Sequence, residues 1–251
     1  MAEQPRRGSA PAWAASLADL VVPLECAGCG RPRERWCPSC AATLAGPPLR
    51  VRTRADVPVP VWALSRHAGP PARAVSAYKD RGRADLAGPL GAALAGAVDA
   101  LRAAGELPEA SERPTVLVPA PASAWARRRR GLDHVRGIVD ALAADLAGST
   151  PGGPVSVAPL LEVRGRVRDA AGLDAPARSR NLAGRIRRRP GDTPLRASPG
   201  APPTVAALLA ARATVLLVDD VVTTGATAAA CVAALHAGGL RVDAVLGVTS
   251  A

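Results

Sequence analysis

Aromatic residues are scarce in this 251-residue sequence. They make up 2% of the chain and phenylalanine is absent, so the core must be built mainly from Ala, Val and Leu. This scarcity argues against a protein that stacks the bases of a single strand on successive aromatic platforms. The 48% hydrophobic and 21% charged residues nevertheless indicate a folded protein, and the length suits one α/β domain with an appendage or two small domains.

Long apolar runs are also absent. No run reaches the roughly 18 to 20 residues of a membrane span. The apolar stretch at residues 11–23 is similar to a signal peptide. However, Asp19 interrupts it and no convincing signal-peptidase cleavage site follows. The sequence therefore predicts a cytoplasmic protein without membrane insertion, in which five cysteines favour metal or redox chemistry over structural disulfides.

Negative charge is in deficit, because 32 Lys and Arg residues oppose 21 Asp and Glu residues for a net charge of +11. Residues 122–190 alone hold 14 arginines against six acids, which favours a polyanionic partner such as phosphate, pyrophosphate or nucleic acid. Lys79 is the only lysine. A position that keeps lysine among so many arginines suits a compact ammonium against a phosphate, although a chance solvated lysine is an equal alternative.

Composition divides the chain into residues 12–48, with an apolar helix and a cysteine module, and residues 55–251, where strands and helices alternate. The strands are predicted at 57–64, 115–118, 155–158, 214–218 and 241–249, and the helices at 13–22, 72–79, 85–104, 133–146 and 226–237. Pro58 and Pro60 predict a sheet edge for the first strand. Residues 161–181 predict a loop running into a helix, and residues 190–203 an exposed insertion. The alternation predicts an α/β fold with a parallel sheet.

The segment after the strand at 214–218 carries the most chemistry. Asp219 and Asp220 precede a small hydroxyl- and glycine-containing loop that opens an alanine-rich helix. Backbone N–H groups and the positive end of a helix can hold a phosphate there, and Gly225 permits close approach. The two carboxylates suit a vicinal diol and a cation developing on a sugar. The spacing predicts a ribose 5-phosphate site; an ordinary turn with solvated acids is the alternative.

This string closely resembles the phosphoribosyl-diphosphate motif of type I phosphoribosyltransferases. The resemblance implies the fold of that family, with Asp219 and Asp220 as catalytic acids at the ribose hydroxyls. It places the 5-phosphate in the loop formed by Thr223, Thr224, Gly225, Ala226 and Thr227. It also implies Mg2+, bound mainly by the substrate's pyrophosphate and hydroxyls. Purine-salvage members have an aspartate where Thr223 stands, so the loop is more similar to that of the orotate enzymes.

The cysteines provide the second motif. Two CxxC pairs, separated by seven residues, consist of Cys26, Cys29, Cys37 and Cys40. Each pair can direct two thiolates at one point, so together they predict a closed, tetrahedral and structural Zn2+ site. A redox dithiol and unligated cysteines are the alternatives. The isolated Cys231 is predicted to be a small buried hydrophobe.

A zinc module ahead of a phosphoribosyltransferase-like domain resembles the ComF/GntX family. Looser similarities to that family's motifs follow at Val118-Pro119, at residues 127–131, at Arg178 to Asn181 and at Tyr78-Lys79. The resemblance places the arginine run near a pyrophosphate, so the candidate pyrophosphate or anion contacts are Lys79, Arg129 and Arg130. The sequence departs from the family's Phe-Asn-Gln at Leu132, Asp133 and His134, and His134 is predicted to be ordinary.

The ComF resemblance implies a protein that binds phosphoribosyl diphosphate or a nucleotide as an accessory of DNA uptake and natural competence. Its implied partners are single-stranded DNA and a helicase-like competence protein. One alternative is an active phosphoribosyltransferase, which transfers the pentosyl group to a nitrogen nucleophile and releases pyrophosphate. Another is a non-catalytic phosphoribosyl diphosphate sensor. No residue for recognising an acceptor base is evident, which favours binding without turnover.

Overall fold

The computed structural model describes residues 24–121, 133–149, 153–164, 185–190 and 193–251. They form an α/β fold around a mostly parallel seven-stranded sheet, with a four-cysteine cluster near the N-terminal end, which confirms the predicted fold class. The predicted helix at 13–22 and most of the predicted loop at 161–181 lie outside the described residues. The division into residues 12–48 and 55–251 stays a prediction.

The secondary structure of the described residues alternates between short strands and helices. In chain order the strands are β1 (Leu49–Arg50), β2 (Val61–Arg66), β3 (Thr115–Pro119), β4 (Val155–Val157), β5 (Leu161–Val163), β6 (Ile186–Arg188), β7 (Arg196–Ala197), β8 (Thr214–Val222) and β9 (Ala244–Ser250). The helices are α1 (Pro38–Ala41), α2 (Gly69–Asp80), α3 (Ala87–Ala103), α4 (His134–Gly148), α5 (Val205–Ala210) and α6 (Ala226–Ala237). Short 3-10 turns lie at Ala42–Leu44 and Ala84–Leu86.

Strand β8 lies at the centre of the sheet, whose order is β1-β2-β9-β8-β3-β4-β7. The five inner strands run parallel, and the two-residue strands β1 and β7 close the edges in antiparallel pairing. In the register, Val218 pairs with Pro119 on one side and with Leu246 on the other. Strands β5 and β6 form a separate antiparallel ribbon.

The connections that leave β3 and β8 diverge. The chain passes from β3 through α4 to β4 on one side, and from β8 through α6 to β9 on the other. Because such crossovers are right-handed, α4 and α6 cover opposite faces of the sheet. The point between β3 and β8 is therefore a topological switch point, and the crevice at the carboxyl ends of these strands is where open α/β sheets bind ligands.

Local sequence explains where several helices begin. Helix α2 starts at Gly69-Pro70-Pro71, with proline in the first turn, where its missing N–H has no intrahelical acceptor to lose. The carboxylate of Asp133 caps α4 by accepting a hydrogen bond from the amide of Arg136 at 3.3 Å. Thr204 caps α5 in the same way. Helix α4 begins one residue after its predicted start at 133, and α2 begins three residues before its predicted start at 72.

Small and aliphatic residues build the core. Leu117, Leu216 and Leu217 on the two central strands are fully buried, and each such leucine contributes roughly 1.5 to 3 kcal/mol. Helices α3 and α4 pack closely, because a Cβ on Gly91 would lie 2.5 Å from the Cβ of Ala141. A core poor in aromatic residues is thus filled by bringing helix backbones close together.

The structure corrects several predictions from the sequence. The first predicted strand begins at Val61, after both prolines, and pairs on both sides, so its predicted edge position was wrong. Strand β8 continues to Val222, which places the two acids inside the strand instead of after it. The sequence did not predict β1, β5, β6, β7, α1 or α5, because elements of two to six residues show no clear periodicity, and β5 lies where a loop was predicted.

One described helical segment, Ala84–Ala103, is long and apolar enough to cross a membrane by length and composition. The core helix of a globular protein meets the same criteria. In this fold its residues Leu90, Leu94 and Val98 are fully buried.

Candidate functional site

The turn between β8 and α6 lies at the carboxyl end of the central strand. Gly225, the residue that caps α6, has a φ of +80°, a left-handed conformation that glycine adopts without strain. A Cβ on Gly225 would also lie 2.6 Å from the Cβ of Thr53. The first amides of the 12-residue helix α6 lack intrahelical acceptors. Together with the helix dipole they favour an anion at this turn.

Thr223, Thr224 and Gly225 of the predicted phosphate loop lie in this turn, and Ala226 and Thr227 are the first two residues of α6. Thr223 is exposed, Thr224 and Thr227 are partly exposed, and Ala226 is buried. The hydroxyl of Thr224 accepts a hydrogen bond from the amide of Ala226 at 3.3 Å, which ties the loop to the helix start. The groups that were predicted to hold a phosphate are therefore close together, and their role toward a ligand stays a prediction.

Residues 51–56 border this turn, a contact that the sequence analysis missed. The amide of Ala55 donates to the carbonyl oxygen of Thr224 at 2.8 Å. Thr53 packs against Gly225 and donates its hydroxyl to the carbonyl oxygen of Ala55 at 2.8 Å. The shape of the turn therefore depends on a segment far away in the chain, for which no local sequence signal exists.

Asp220 is buried and contacts two helices on one face of the sheet. The Nζ of Lys79, in the last turn of α2, lies 2.9 Å from its Oδ2, and the Nε2 of His134, at the start of α4, lies 3.0 Å from the same oxygen. Its Oδ1 accepts a hydrogen bond from the amide of Val221 at 2.8 Å. Burial raises the pKa of Asp220, but His134 and Lys79 outweigh burial and hold the pKa well below its usual value. Asp220 is therefore a fixed, ionised carboxylate.

Asp219 is held differently. It is partly exposed, and its Oδ1 accepts a hydrogen bond from the amide of Asp220 at 2.9 Å. In the part of the chain that the structure describes, no cationic side chain is paired with it. Burial and the charge of Asp220 raise the pKa of Asp219, and the charge of Lys79 lowers it to a lesser extent. The acid pair thus combines one fixed carboxylate with a low pKa and one that is partly exposed and has a raised pKa.

The two acids also lie toward different faces. Neighbouring residues of a strand point to opposite sides of the sheet. Asp220 reaches α2 and α4, whereas the charge of Asp219, after burial itself, raises the pKa of Cys231 in α6. Cys231 is fully buried in the core, which confirms its predicted place as a small hydrophobe.

Helix α2 is fixed to the start of α4 beside Asp220. The Tyr78 hydroxyl donates to the carbonyl oxygen of His134 at 2.8 Å, and the two rings meet edge to face with centroids 6.5 Å apart. A side chain on Gly137 would collide with this hydroxyl. Burial, and then the nearby charges of Asp133 and Asp220, raise the pKa of Tyr78 to about 12, so the hydroxyl stays a donor. Because Tyr78 is held by these contacts, the backbone of the adjacent Lys79 is held in place as well.

The structure brings Lys79, the acid pair and the turn between β8 and α6 to one end of the sheet. It adds His134, which the sequence analysis had treated as an ordinary residue. The sequence feature that could have indicated a role for His134 is the histidine itself, because the resembled family has glutamine at this position. Arg129 and Arg130 lie outside the described residues, so their anion contacts stay predictions.

The second candidate site is the cysteine cluster. The four sulfur atoms of Cys26, Cys29, Cys37 and Cys40 all lie within 4.8 Å of one another, and those of Cys29 and Cys37 are 3.6 Å apart. Sulfurs arranged tetrahedrally at about 2.3 Å from zinc lie about 3.8 Å apart. The cluster therefore fits a single structural metal ion, and four thiolates favour zinc.

The backbone around the cysteines prepares them for a metal. The amide of Cys37 donates to the Sγ of Cys26 at 3.3 Å, and a Cβ on Gly28 would lie 2.6 Å from the Sγ of Cys40. Burial raises the pKa of Cys26, but backbone N–H groups, chiefly that of Cys37, outweigh it and lower the pKa to about 6. The lowered pKa favours the thiolate of Cys26, which is the form that binds metals, whereas burial and the neighbouring cysteines raise the pKa of Cys40.

Two arginines attach the cysteine module to the rest of the fold. Arg73 in α2 donates its Nε to the carbonyl oxygen of Gly28. Arg83 donates to two backbone carbonyl groups of the module at 3.1 and 3.2 Å. Its guanidinium is oriented by a bidentate pair with Asp85 at 2.9 and 2.8 Å. Helix α2 therefore contacts the cysteine module through Arg73. Through Lys79 in its last turn, the same helix contacts Asp220.

The fold and the two sites define an α/β protein with a four-cysteine cluster that could hold a metal ion and an anion-favouring turn beside an acid pair at a topological switch point. Comparison of the chain with models of protein families and with curated proteins finds no match. Any closer assignment depends on the motifs and on the geometry of these sites.

Proposed function

We propose that this protein binds a phosphorylated pentose, as phosphoribosyl diphosphate or a nucleotide, at the turn between β8 and α6. The observation that supports this most is the position of the acid pair directly before a glycine-capped helix turn, at the switch point between β3 and β8. The phosphate lies against the first turn of α6 and the pentose hydroxyls lie at the acid pair. Mg2+ enters with the pyrophosphate of the ligand.

Charge balance supports an anionic ligand at a site that contains two acids. Lys79 offsets the charge of Asp220 at 2.9 Å, whereas among the described residues no cationic side chain is paired with Asp219. Because charge repulsion in a partly buried site is stronger than in water, this pairing lowers the cost of bringing a phosphate close. The same arrangement supports a pentose whose neutral hydroxyls, and not its phosphate, meet Asp219.

The biological role is proposed from the resemblance to the ComF/GntX family: a cytoplasmic accessory of DNA uptake, with Zn2+ in the cysteine cluster. Single-stranded DNA and a helicase-like competence protein are its proposed partners. The net charge of +11 supports a polyanionic partner. If the arginine-rich stretch binds DNA, the affinity will fall by orders of magnitude between about 50 and 200 mM salt, and binding that is absent or insensitive to salt contradicts this role.

Pentosyl transfer is the second candidate function. The observation that favours it is the contact of Asp220 with Lys79 at 2.9 Å and with His134 at 3.0 Å, which lowers the pKa of the carboxyl group. A fixed negative charge near the sugar can stabilise the positive charge that develops as pyrophosphate leaves. Release of pyrophosphate on incubation with a nitrogen nucleophile supports a transferase, whereas tight binding without release supports a binding protein or sensor.

Isothermal titration calorimetry in the presence of Mg2+ tests the proposal. The unmodified protein is expected to bind phosphoribosyl diphosphate and ribose 5-phosphate, and joint replacement of Asp219→Asn and Asp220→Asn to abolish binding. The matched control is Asp243→Asn, because this carboxylate accepts a hydrogen bond from Val215 at the opposite end of β8. The control should bind as the unmodified protein does. Absence of binding by the unmodified protein contradicts the proposal.

A further inference from the structure

The two oxygens of Asp220 are both enclosed by the protein, and Oδ2 is buried in ion-pair contacts that do not have hydrogen-bond geometry. Oδ1 accepts from the amide of Val221, and Oδ2 contacts Lys79 and His134 at 2.9 and 3.0 Å. The side chain is only 5% exposed. A sugar hydroxyl could reach Oδ2 only by displacing one of these groups, and separating a buried charged pair is strongly unfavourable.

Asp219 has the opposite properties. It is partly exposed, and its Oδ1 accepts a hydrogen bond from the backbone amide of Asp220. A carboxylate can accept up to about four hydrogen bonds. It therefore keeps the acceptor capacity that a vicinal diol requires.

Lys79 connects the buried acid with solvent. Its side chain is 31% exposed while its ammonium contacts Asp220. The hydrogen bond from the adjacent Tyr78 to the carbonyl of His134 fixes the helix end that carries it. An ammonium has three donors in different directions. A ligand anion that contacts the exposed side of Lys79 therefore does not have to break the ion pair between Lys79 and Asp220.

From this geometry we infer that the acid pair divides its roles: Asp219 binds the pentose diol, whereas Asp220 is a positioning residue that holds Lys79 toward the pyrophosphate group of the ligand. The inference rests on the proposed function, because it assigns roles within the same site. His134 completes the arrangement by fixing the carboxylate of Asp220 from the α4 side.

Affinity ratios separate the two roles. The probes are ribose 5-phosphate, which has the diol, and inorganic phosphate, which lacks it. Asp219→Asn should lower the ratio of their affinities at least tenfold, whereas Asp220→Asn should leave this ratio within twofold of that of the unmodified protein. Because the ratio compares two ligands on the same variant, the general effect of removing one charge largely cancels. A ratio that Asp220→Asn lowers as much as Asp219→Asn does overturns the inference.

A double-mutant cycle tests the connection between Asp220 and Lys79, with inorganic pyrophosphate and Mg2+ as the probe. Lys79→Met should weaken pyrophosphate binding at least tenfold. Whatever change Asp220→Asn causes alone, it should fall below twofold when Lys79→Met is already present, because a positioning residue acts only through the group that it positions. Equal effects of Asp220→Asn in both backgrounds overturn the positioning role.

The single lysine permits a third test on the unmodified protein. Acylation by an amine-reactive ester, followed by mass spectrometry, modifies Lys79 and the N-terminal amine, and the latter serves as the internal control. Saturating pyrophosphate should slow acylation of Lys79 at least fivefold without changing the N-terminal rate. If Asp220→Asn does not fold, the acylation rate of Lys79 and the affinity of Lys79→Met for pyrophosphate test the inference without that variant. Unchanged acylation while calorimetry shows pyrophosphate bound overturns the inference. Absence of any binding contradicts the proposed function instead.

Discussion

The ammonium of Lys79 lies 2.9 Å from Oδ2 of Asp220. This ion pair joins the last turn of α2 to the central strand of the sheet. Arg73, earlier in the same helix, donates to the carbonyl of Gly28, which lies between Cys26 and Cys29 of the cysteine cluster. The candidate ligand site and the candidate metal centre therefore depend on one 12-residue helix.

Removal of the metal should affect both sites. Without an ion at the four thiolates, the backbone around Gly28 loses its support and α2 loses a contact. A chelator, or Cys37→Ser, is expected to lower the melting temperature by several degrees and to weaken phosphopentose binding severalfold. Differential scanning calorimetry, elemental analysis and titration calorimetry measure these effects. The control is Cys231→Ala, which should keep one metal ion per chain. A protein purified without metal and unaffected by the chelator contradicts the account.

Asp219→Asn should stabilise the protein at neutral pH. Burial and the charge of Asp220 raise the pKa of Asp219. A group whose pKa is raised on folding contributes stability below its unfolded pKa of about 4, and this contribution is lost as pH rises through the folded pKa. The amide cannot ionise, so the variant should be more stable by about 1 kcal/mol at pH 8, with a smaller difference at pH 4. Urea unfolding at both pH values measures it; lower stability of the variant at pH 8 would refute the assigned environment.

Asp220→Asn should have the opposite effect. His134 and Lys79 hold the pKa of Asp220 below its usual value despite burial. Its stabilising contribution is therefore present above about pH 4 and is lost as pH falls through the lower folded pKa. The variant should lose about 2 to 3 kcal/mol of unfolding free energy at pH 7, because it leaves Lys79 without its charged partner. Urea titrations from pH 7 down to pH 3 should show the loss shrinking; a loss that is constant with pH would indicate a purely steric effect.

Gly225 and Gly239 provide a matched pair at the two ends of α6, because both have a φ of +80°. Alanine at either position incurs about 1 to 2 kcal/mol of backbone strain. A Cβ at Gly239 meets open space, whereas one at Gly225 meets Thr53. Gly225→Ala should therefore be the more destabilising substitution and should abolish ligand binding, while Gly239→Ala binds normally. Thermal unfolding and calorimetry compare them; equal binding by both variants argues against a phosphate at the turn.

The parts of the site that could be predicted from the sequence are contiguous in the chain. Strand β8, the acids, Gly225 and helix α6 follow one another, and the paired cysteines lie within fifteen residues, from Cys26 to Cys40. Spacing alone can therefore indicate their chemistry. The predicted bounds of α6 agree with the structure for the same reason, since an uninterrupted alanine-rich run follows the glycine.

The remaining features depend on tertiary packing. Nothing local to Thr53 indicates that it packs on Gly225, and nothing near Lys79 or His134 indicates that both contact one oxygen of Asp220. The prolines before β2 suggested a sheet edge, because residue type cannot show that the strand begins only after them. Short strands such as β5 and β7 escape prediction since their pairing partners, and not their own sequences, define them.

A crystal structure of the protein with ribose 5-phosphate tests the central claim most directly. The account predicts the phosphate within hydrogen-bond distance of the backbone amides of residues 224–227, with the pentose hydroxyls at Asp219 and the pair of Lys79 with Asp220 intact. A ligand bound elsewhere would contradict it. So would a turn that holds no ligand at saturating concentration, with Thr53 still packed against Gly225.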